Sequence, residues 1–426
     1  MIPYSRQLIE QDDIEAVTRV LRSDFLTQGP AVEAFESALT SYTGAHYAVL
    51  FASGTAALHA AHFAAGIGAG DEVLTSPITF AATSNAALYL GATPVFVDVE
   101  PDTGNMDVAS LEQAITPRAK AIVPVHYAGH PVDLKAISLV AKEFGLIVIE
   151  DACHALGAEY RTIGAGGRGP VAREGPKDTI LERLDPEPRT QDPKDGRSKI
   201  GSCTYSDMTV FSFHPVKQIT TGEGGAVLTN RSDFYEKLRL FRTHGITKDP
   251  SKFALQDRRP QTGAGGADGD WYYEMQALGF NYRISDLHAA LGISQLRKLD
   301  RFVSRRREIA ERYRRAYADN PWFAIPPERS YAKSSYHLYP IRLTNGLREK
   351  RYRIFAGLKK AGVGVQVHYL PVYLHPYYQK MGYKEGLCPA AEDFYQREIS
   401  IPLYPGMDDQ TVDTVIKTLR RCFKKR

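Results

Sequence analysis

Lys217 is the residue with the most chemical promise. It lies in Phe211-Ser212-Phe213-His214-Pro215-Val216-Lys217-Gln218, after a β-type apolar run (208–213). A turn, Gly222-Glu223-Gly224-Gly225, then leads into a second run, Ala226-Val227-Leu228-Thr229. No carboxylate stands beside the lysine before Glu223, so desolvation should lower its pKa and favour the free amine. A neutral amine of this kind can form a Schiff base with an aldehyde. Taken alone, a lysine reads as a snorkelling surface residue, and only its surroundings change that reading.

Other residues could serve the same chemistry. The run Ala48-Val49-Leu50-Phe51 ends in Ala52-Ser53-Gly54-Thr55, where a helical pattern starts at once. Amides at that helix N-terminus, approached over Gly54 and completed by Thr55, would cradle a phosphate; alone, Ser-Gly-Thr is an ordinary cap. Residues 146–149 deliver Glu150-Asp151-Ala152-Cys153-His154 to the carboxyl end of a strand, where parallel sheets bind ligands. An aspartate there can hold a pyridine nitrogen protonated and make the ring an electron sink, or simply cap a helix. Glu150, Asp151 and His154 lack a second ligand group at suitable spacing, so no metal site is expected. Phe80 follows another strand end, and its ring could stack on a flat cofactor or fill core. Ser212 precedes Lys217 on the same run and could donate to the same phosphate or bond local backbone.

These residues need a sheet that aligns strand ends. Between about 42 and 230, apolar runs (48–51, 72–75, 94–97, 121–125, 146–149) alternate with helical patterns such as 55–65 and 133–144. The alternation predicts an α/β domain whose runs are buried, mainly parallel strands. Residues 161–199, rich in Gly, Pro and charge, read as a flexible surface insertion, and 261–270 as a Gly-rich loop. Residues 285–318 read as one or two long helices with Leu287, Leu291, Leu296 and Leu299 on an apolar face. Their basic residues (Arg297, Lys298, Arg301, Arg305, Arg306, Arg307) are expected to be a solvated face, not a nucleic-acid surface. From about 321, strands and helices alternate again. The expected division is a large domain over 1–300 and a smaller C-terminal α/β domain over 301–426.

Bulk properties narrow the class. The 426 residues carry 53 basic against 49 acidic groups, a balance too even for a nucleic-acid partner but suited to an anionic small substrate. Cys153, Cys203, Cys388 and Cys422 are scattered without paired spacing, as free thiols in a cytoplasmic protein would be. The start lacks the apolar core of a signal peptide, and no run approaches the ~20 apolar residues of a membrane span. A soluble cytoplasmic protein with no membrane partner is expected.

Phosphate cradle, aromatic, aspartate, serine and lysine come in the order used by pyridoxal-phosphate enzymes of the aspartate-aminotransferase type. The chain resembles the DegT family of sugar-nucleotide aminotransferases over nearly its full length. The resemblance rests on Leu26-Thr27-Gln28-Gly29-Pro30, Ser53-Gly54-Thr55, Asp151-Ala152-Cys153-His154, Phe211 through Lys217, Gly222-Glu223-Gly224-Gly225 and Leu278-Gly279-Phe280-Asn281-Tyr282-Arg283-Ile284-Ser285-Asp286. It implies the fold type I transferase architecture, with a large, mainly parallel seven-stranded sheet, and a homodimer with shared active sites. Lys217 would carry pyridoxal 5'-phosphate; Asp151 would pair with the ring nitrogen, His154 approach the ring hydroxyl and Phe80 cover one face. Gly54, Thr55 and Ser212 would hold the phosphate, joined by Asn281 of the partner subunit. A closer similarity to the pseudaminic-acid subgroup, carried by 151–157, 366–373 and 391–395, implies UDP-sugar and L-glutamate substrates. Tyr4, Asp24, Phe25, Leu26, Thr27, Tyr336, His337, Leu338, Tyr339 and His368 would then line the substrate site. The family's dehydratase branch replaces the lysine with histidine, and this chain keeps Lys217.

Overall fold

A computed structural model of the chain describes residues 1–161, 196–255 and 271–424. Nine strands run from the first to the second third of the chain: β1 (Tyr47–Phe51), β2 (Glu72–Thr75), β3 (Thr93–Phe96), β4 (Ala119–Val123), β5 (Ile147–Asp151), β6 (Glu159–Arg161), β7 (Arg197–Lys199), β8 (Met208–Ser212) and β9 (Gly225–Thr229). Seven of them form one sheet in the order β1-β9-β8-β5-β4-β2-β3. The pairs β2–β3, β2–β4, β4–β5 and β5–β8 are parallel, whereas β9 runs antiparallel to both β8 and β1. Strand β1, expected to pair in parallel, therefore pairs antiparallel. The tight return after Lys217 sends β9 back against β8, and β1 then docks on its far side.

Helices cover both faces of the sheet, so strands such as β2, β8 and β9 are buried nearly throughout and not on alternate residues. Helix Gly54–Ala64 follows β1 and is buried almost all round; its alanines (Ala56, Ala57, Ala60, Ala61, Ala64) let it lie close to the sheet. Glycine enforces the closest approaches. A Cβ on Gly225 would stand 2.6 Å from the Ser53 carbonyl oxygen and 2.7 Å from the Gly54 nitrogen.

A smaller lobe is built on an antiparallel sheet of Phe323–Ala324, Tyr339–Leu343 and Glu398–Ile401. Two features cross between the lobes. In helix Leu299–Tyr317, Leu299, Phe302 and Val303 join the core of the large sheet, while Ile309, Tyr313 and Tyr317 join that of the small lobe. The N-terminus also belongs with the small lobe, since Ile2 bridges Val363 and the Tyr4 carbonyl accepts from Leu403 N at 3.1 Å.

The 161–199 segment has ordered ends. β6 and β7 pair antiparallel, and Ala332–Lys333 pairs with β6 on its other side, where Lys333 meets Glu159 at 2.9 Å. The rest of the expected insertion, and the expected loop 261–270, lie outside the described residues. Residues 285–318 form two helices, Asp286–Leu296 and Leu299–Tyr317. Several of their basic groups are paired within the fold: Lys298 with Asp12 and Asp13, Arg301 with Glu10, Arg305 with Asp409. Arg306 is fully buried and donates to the carbonyls of Tyr336, His337 and Leu403.

Candidate active site

Strands β5 and β8 bring Asp151 and Lys217 to one edge of the sheet. Lys217 sits just past β8 in a short turn, its amide bonded to the His214 carbonyl at 2.9 Å. Its pKa is lowered by desolvation, and the nearby Cys153 and Asp151 offset this only in part. No ion pair or side-chain hydrogen bond holds its Nζ among the described residues.

The loop around it is pinned from several sides. Gln218, beside the lysine, is 3% exposed; its Nε2 donates to the His154 carbonyl and to Ser335 Oγ, the latter at 3.0 Å. Thr220 Oγ1 donates to the Phe213 carbonyl at 3.1 Å, and Ser5 Oγ to the Val216 carbonyl at 3.2 Å.

Asp151 ends β5, buried. Its Oδ2 accepts from Thr83 Oγ1 at 2.6 Å and its Oδ1 from the Cys153 amide at 3.1 Å. Thr83 is in turn 2.7 Å from Thr79 Oγ1. Thr79 stands in the turn that carries Phe80 and Thr83 in the helix Ala82–Leu88 that follows; Phe80 itself is 64% exposed.

Across the edge, Ser53 caps helix Gly54–Ala64 by accepting from Ala56 N at 3.1 Å, and its carbonyl accepts from Ala57 N. The amides of Gly54 and Thr55 are left unused by the helix. Ser212 faces them: a Cβ on Gly54 would lie 2.8 Å from Ser212 Cβ and 3.1 Å from its Oγ. Two amides at a helix N-terminus and a hydroxyl thus lie side by side, an approach open only because residue 54 lacks a side chain.

A group of imidazoles closes the other side. His154 and His337 are buried with ring centroids 4.3 Å apart, and each has a buried Nδ1 without a hydrogen-bond partner. His154 Nε2 meets the Tyr369 hydroxyl at 3.1 Å. Desolvation, with the Lys217 charge nearby, holds both imidazoles well below their usual pKa, so they are neutral. His368 is held down to about 3 by the same causes, and the Tyr4 ring lies 5.5 Å from it.

The remaining expected substrate residues divide. Tyr336 is half-buried, with φ +47°. Leu338 is buried with Ile78, Phe96 and Tyr127, and Tyr339 is buried in the small-lobe core, its ring 5.1 Å from that of Tyr313. Asp24, Phe25, Leu26 and Thr27 form an exposed strip beside the start of helix Asp286–Leu296: Thr27 bridges Ser285, and Leu26 O accepts from Asp286 N. Asn281 is exposed and bridges Thr243. A cavity of about 490 Å³ opens elsewhere, between Glu36, Tyr47, Arg239, Arg242 and Arg283; Lys217 and Asp151 are not part of it.

Residues 7–420 match the DegT/DnrJ/EryC1/StrS aminotransferase family. The chain belongs to that family. Two curated relatives span nearly the whole chain. Spore coat polysaccharide biosynthesis protein SpsC of Bacillus subtilis is 39% identical over 99% of this chain and 97% of its own. The UDP-4-amino-4,6-dideoxy-N-acetyl-beta-L-altrosamine transaminase of Campylobacter jejuni strain 81-176 is 38% identical over 100% and 98%. Among solved structures, Helicobacter pylori PseC, an aminotransferase in pseudoaminic acid biosynthesis, superposes with a TM-score of 0.82 at 33% identity, both chains covered fully. Spr1654 of Streptococcus pneumoniae, solved in its PLP-form, superposes at 0.82 with 28% identity over 100% and 99%. The protein is a pyridoxal-phosphate-dependent sugar aminotransferase of fold type I.

Sequence reasoning missed Gln218, Thr83 and Ser335. All three act on residues distant in sequence, and Gln218 alone had a signal, its place directly after Lys217.

Proposed function

We propose that the protein moves the amino group of L-glutamate to C4 of a UDP-linked 4-keto-6-deoxy-N-acetyl hexosamine of the L-altro type, a step towards pseudaminic acid. The observation that carries the chemistry is the unpaired, desolvated Lys217 amine at the same strand ends as Asp151 and the Gly54–Ser212 approach. The sugar is supported by the altrosamine transaminase and PseC likenesses.

The residues fit pyridoxal phosphate. Gly54, Thr55 and Ser212 would hold its phosphate, with Asn281 of the partner subunit completing the set. Asp151, a side chain already fixed by Thr83, would pair with the ring nitrogen, and His154 would approach the ring hydroxyl. Phe80, an exposed aromatic, would cover a ring face. When bound, the cofactor supplies the electron sink that lets a C–H bond beside nitrogen ionise. Lys217 Nζ takes the proton from the α-carbon of the donor amino acid and returns one to C4 of the sugar. His337, His368, Tyr4 and Tyr336 border the sugar side, and the exposed strip Asp24–Thr27 serves the nucleotide from the dimer cleft. A homodimer accords with the exposed apolar groups Trp271, Tyr273, Met275 and Leu278, next to Asn281 in the chain. No helix among the described residues is long and apolar enough to cross a membrane, and we place the enzyme in the cytoplasm.

A second reading, amination of a different nucleotide-linked 4-keto sugar, is favoured by the equal likeness to SpsC. The deciding experiment offers UDP-linked 4-keto-6-deoxy sugars of altro and gluco type with glutamate and follows 2-oxoglutarate. Faster turnover of the altro sugar is expected; equal or reversed preference overturns the pseudaminic assignment. Full turnover by Lys217→Ala overturns the aminotransfer mechanism itself.

A further inference from the structure

His368 borders the cleft through a hydrogen-bond chain that no part of the reaction above uses. Glu398 and Ser400 stand two apart on strand Glu398–Ile401, so both face the segment that carries His368. That segment is locked to the strand by the paired backbone bonds of Gln366 and Ser400. His368 Nδ1 lies 2.8 Å from Ser400 Oγ, Ser400 Oγ bonds Glu398 Oε1, and the His368 amide donates to Glu398 Oε2 at 2.8 Å. Glu398 and Ser400 are fully buried, and His368 is 7% exposed. Glu398 has no ion pair among the described residues. The Arg351 charge acts on it, but that guanidinium donates to the Tyr395 carbonyl. Tyr127 and Tyr369 also feel its charge, and Arg342 is its ladder partner. On the cleft side, His368 meets the fields of Lys217, His154 and His337, and the rings of Tyr4 and Tyr369.

We propose that Glu398 and Ser400 are positioning residues that decide, through one hydroxyl, which nitrogen of His368 carries its proton and so whether the imidazole meets the substrate as donor or acceptor. A protonated Glu398 donates to Ser400, Ser400 donates to Nδ1, and Nε2–H is offered to an oxygen of the bound sugar nucleotide. An ionised Glu398 accepts from Ser400, which then accepts from Nδ1–H, and Nε2 presents a lone pair. One proton on the carboxyl therefore reverses both side-chain bonds, Glu398–Ser400 and Ser400–His368, without moving a heavy atom. Burial lifts Glu398 to about 8, so the donor form holds below that pH and the acceptor form above it. The inference deepens the sugar-binding reading, on which the role of His368 rests.

The test is ¹⁵N NMR of histidine-labelled holoenzyme from pH 6.5 to 9.5. Wild type should show His368 as Nε2–H at low pH, passing to Nδ1–H near pH 8. Glu398→Gln, whose amide imitates the protonated acid, should hold Nε2–H throughout. Ser400→Ala should abolish the transition and lower kcat/KM for the keto sugar roughly tenfold. A wild-type tautomer that ignores pH, or a Glu398→Gln enzyme that titrates like wild type, overturns the proposal. The spectra need no substrate, so failure to aminate any sugar would sink the functional reading while leaving this result intact.

Discussion

Gly54→Ala tests the phosphate recess by adding a single methyl group. The new Cβ would stand 2.8 Å from Ser212 Cβ, against about 3.5–4.0 Å for an ordinary carbon contact. Neither side yields freely: Ser212 ends a strand held by β5 and β9, and the helix is buried almost all round. Overpacking of this kind costs about 1–3 kcal/mol, offset by about 0.4–1 kcal/mol from the stiffer unfolded chain. Net stability should therefore fall by no more than about 2.6 kcal/mol, and the protein should fold. The recess suffers more, because the methyl group also lies 3.1 Å from Ser212 Oγ. A hydrogen bond to a charged group is worth about 1.5–3 kcal/mol, so one misaligned donor should weaken pyridoxal phosphate about 10–100-fold.

The assay is absorbance titration of apoenzyme with pyridoxal phosphate and, in parallel, with pyridoxal, which lacks the phosphate. Only the former should weaken. Gly68→Ala is the control, since its Cβ would meet nothing within 4 Å. If Gly54→Ala bound pyridoxal phosphate within twofold of wild type, the phosphate would have to lie elsewhere.

Three further outcomes follow from the same geometry. Gln218→Leu strips the His154 carbonyl and Ser335 of a buried donor and should cost about 1–3 kcal/mol in urea unfolding, with a lower kcat; unchanged values would make Gln218 a bystander. Lys217→Met separates stability from pH: the folded pKa of Lys217 lies below the ordinary 10.5, so across that window the unfolded apo chain binds more protons and wild-type stability rises with pH. Wild-type apoenzyme should gain on Lys217→Met as pH is raised towards 10.5, and parallel urea midpoints would refute the desolvation argument. Asp286→Ala removes the carboxylate that accepts from Gly29 and Ala31 at the start of helix Pro30–Thr43; a loss of about 1–2 kcal/mol is expected by thermal melting, and none would deny the cap.

What the sequence disclosed follows from what is local. The run 48–51 is apolar throughout because helices cover both faces of the sheet, and such runs located the strands. They could not give strand direction, and β1 lies antiparallel because its neighbour is set by the return after Lys217. Asp151 and Lys217 were legible because each stands at or just beyond the end of an apolar run. Tyr339 shows the opposite case. Within the aromatic stretch 336–339 nothing local separates a cleft residue from a core one. Tyr339 begins a strand whose inner face meets Tyr313, so it is buried, while His337 packs against His154.

The same limit explains why the groups that tune the site were hidden. Thr83 reaches Asp151 across 68 residues and Gln218 reaches Ser335 across 117, so no spacing rule could join them. Their effect is nonetheless large in kind. Hydrogen bonds anchor Asp151 and the turn that carries Lys217 before any ligand arrives, and preorganised groups do not spend binding energy on being ordered. The chemistry is thus carried by residues that a strand end displays, and its precision by partners that only the folded chain brings near. For that reason Gln218→Leu should harm kcat more than the loss of one exposed substrate contact would.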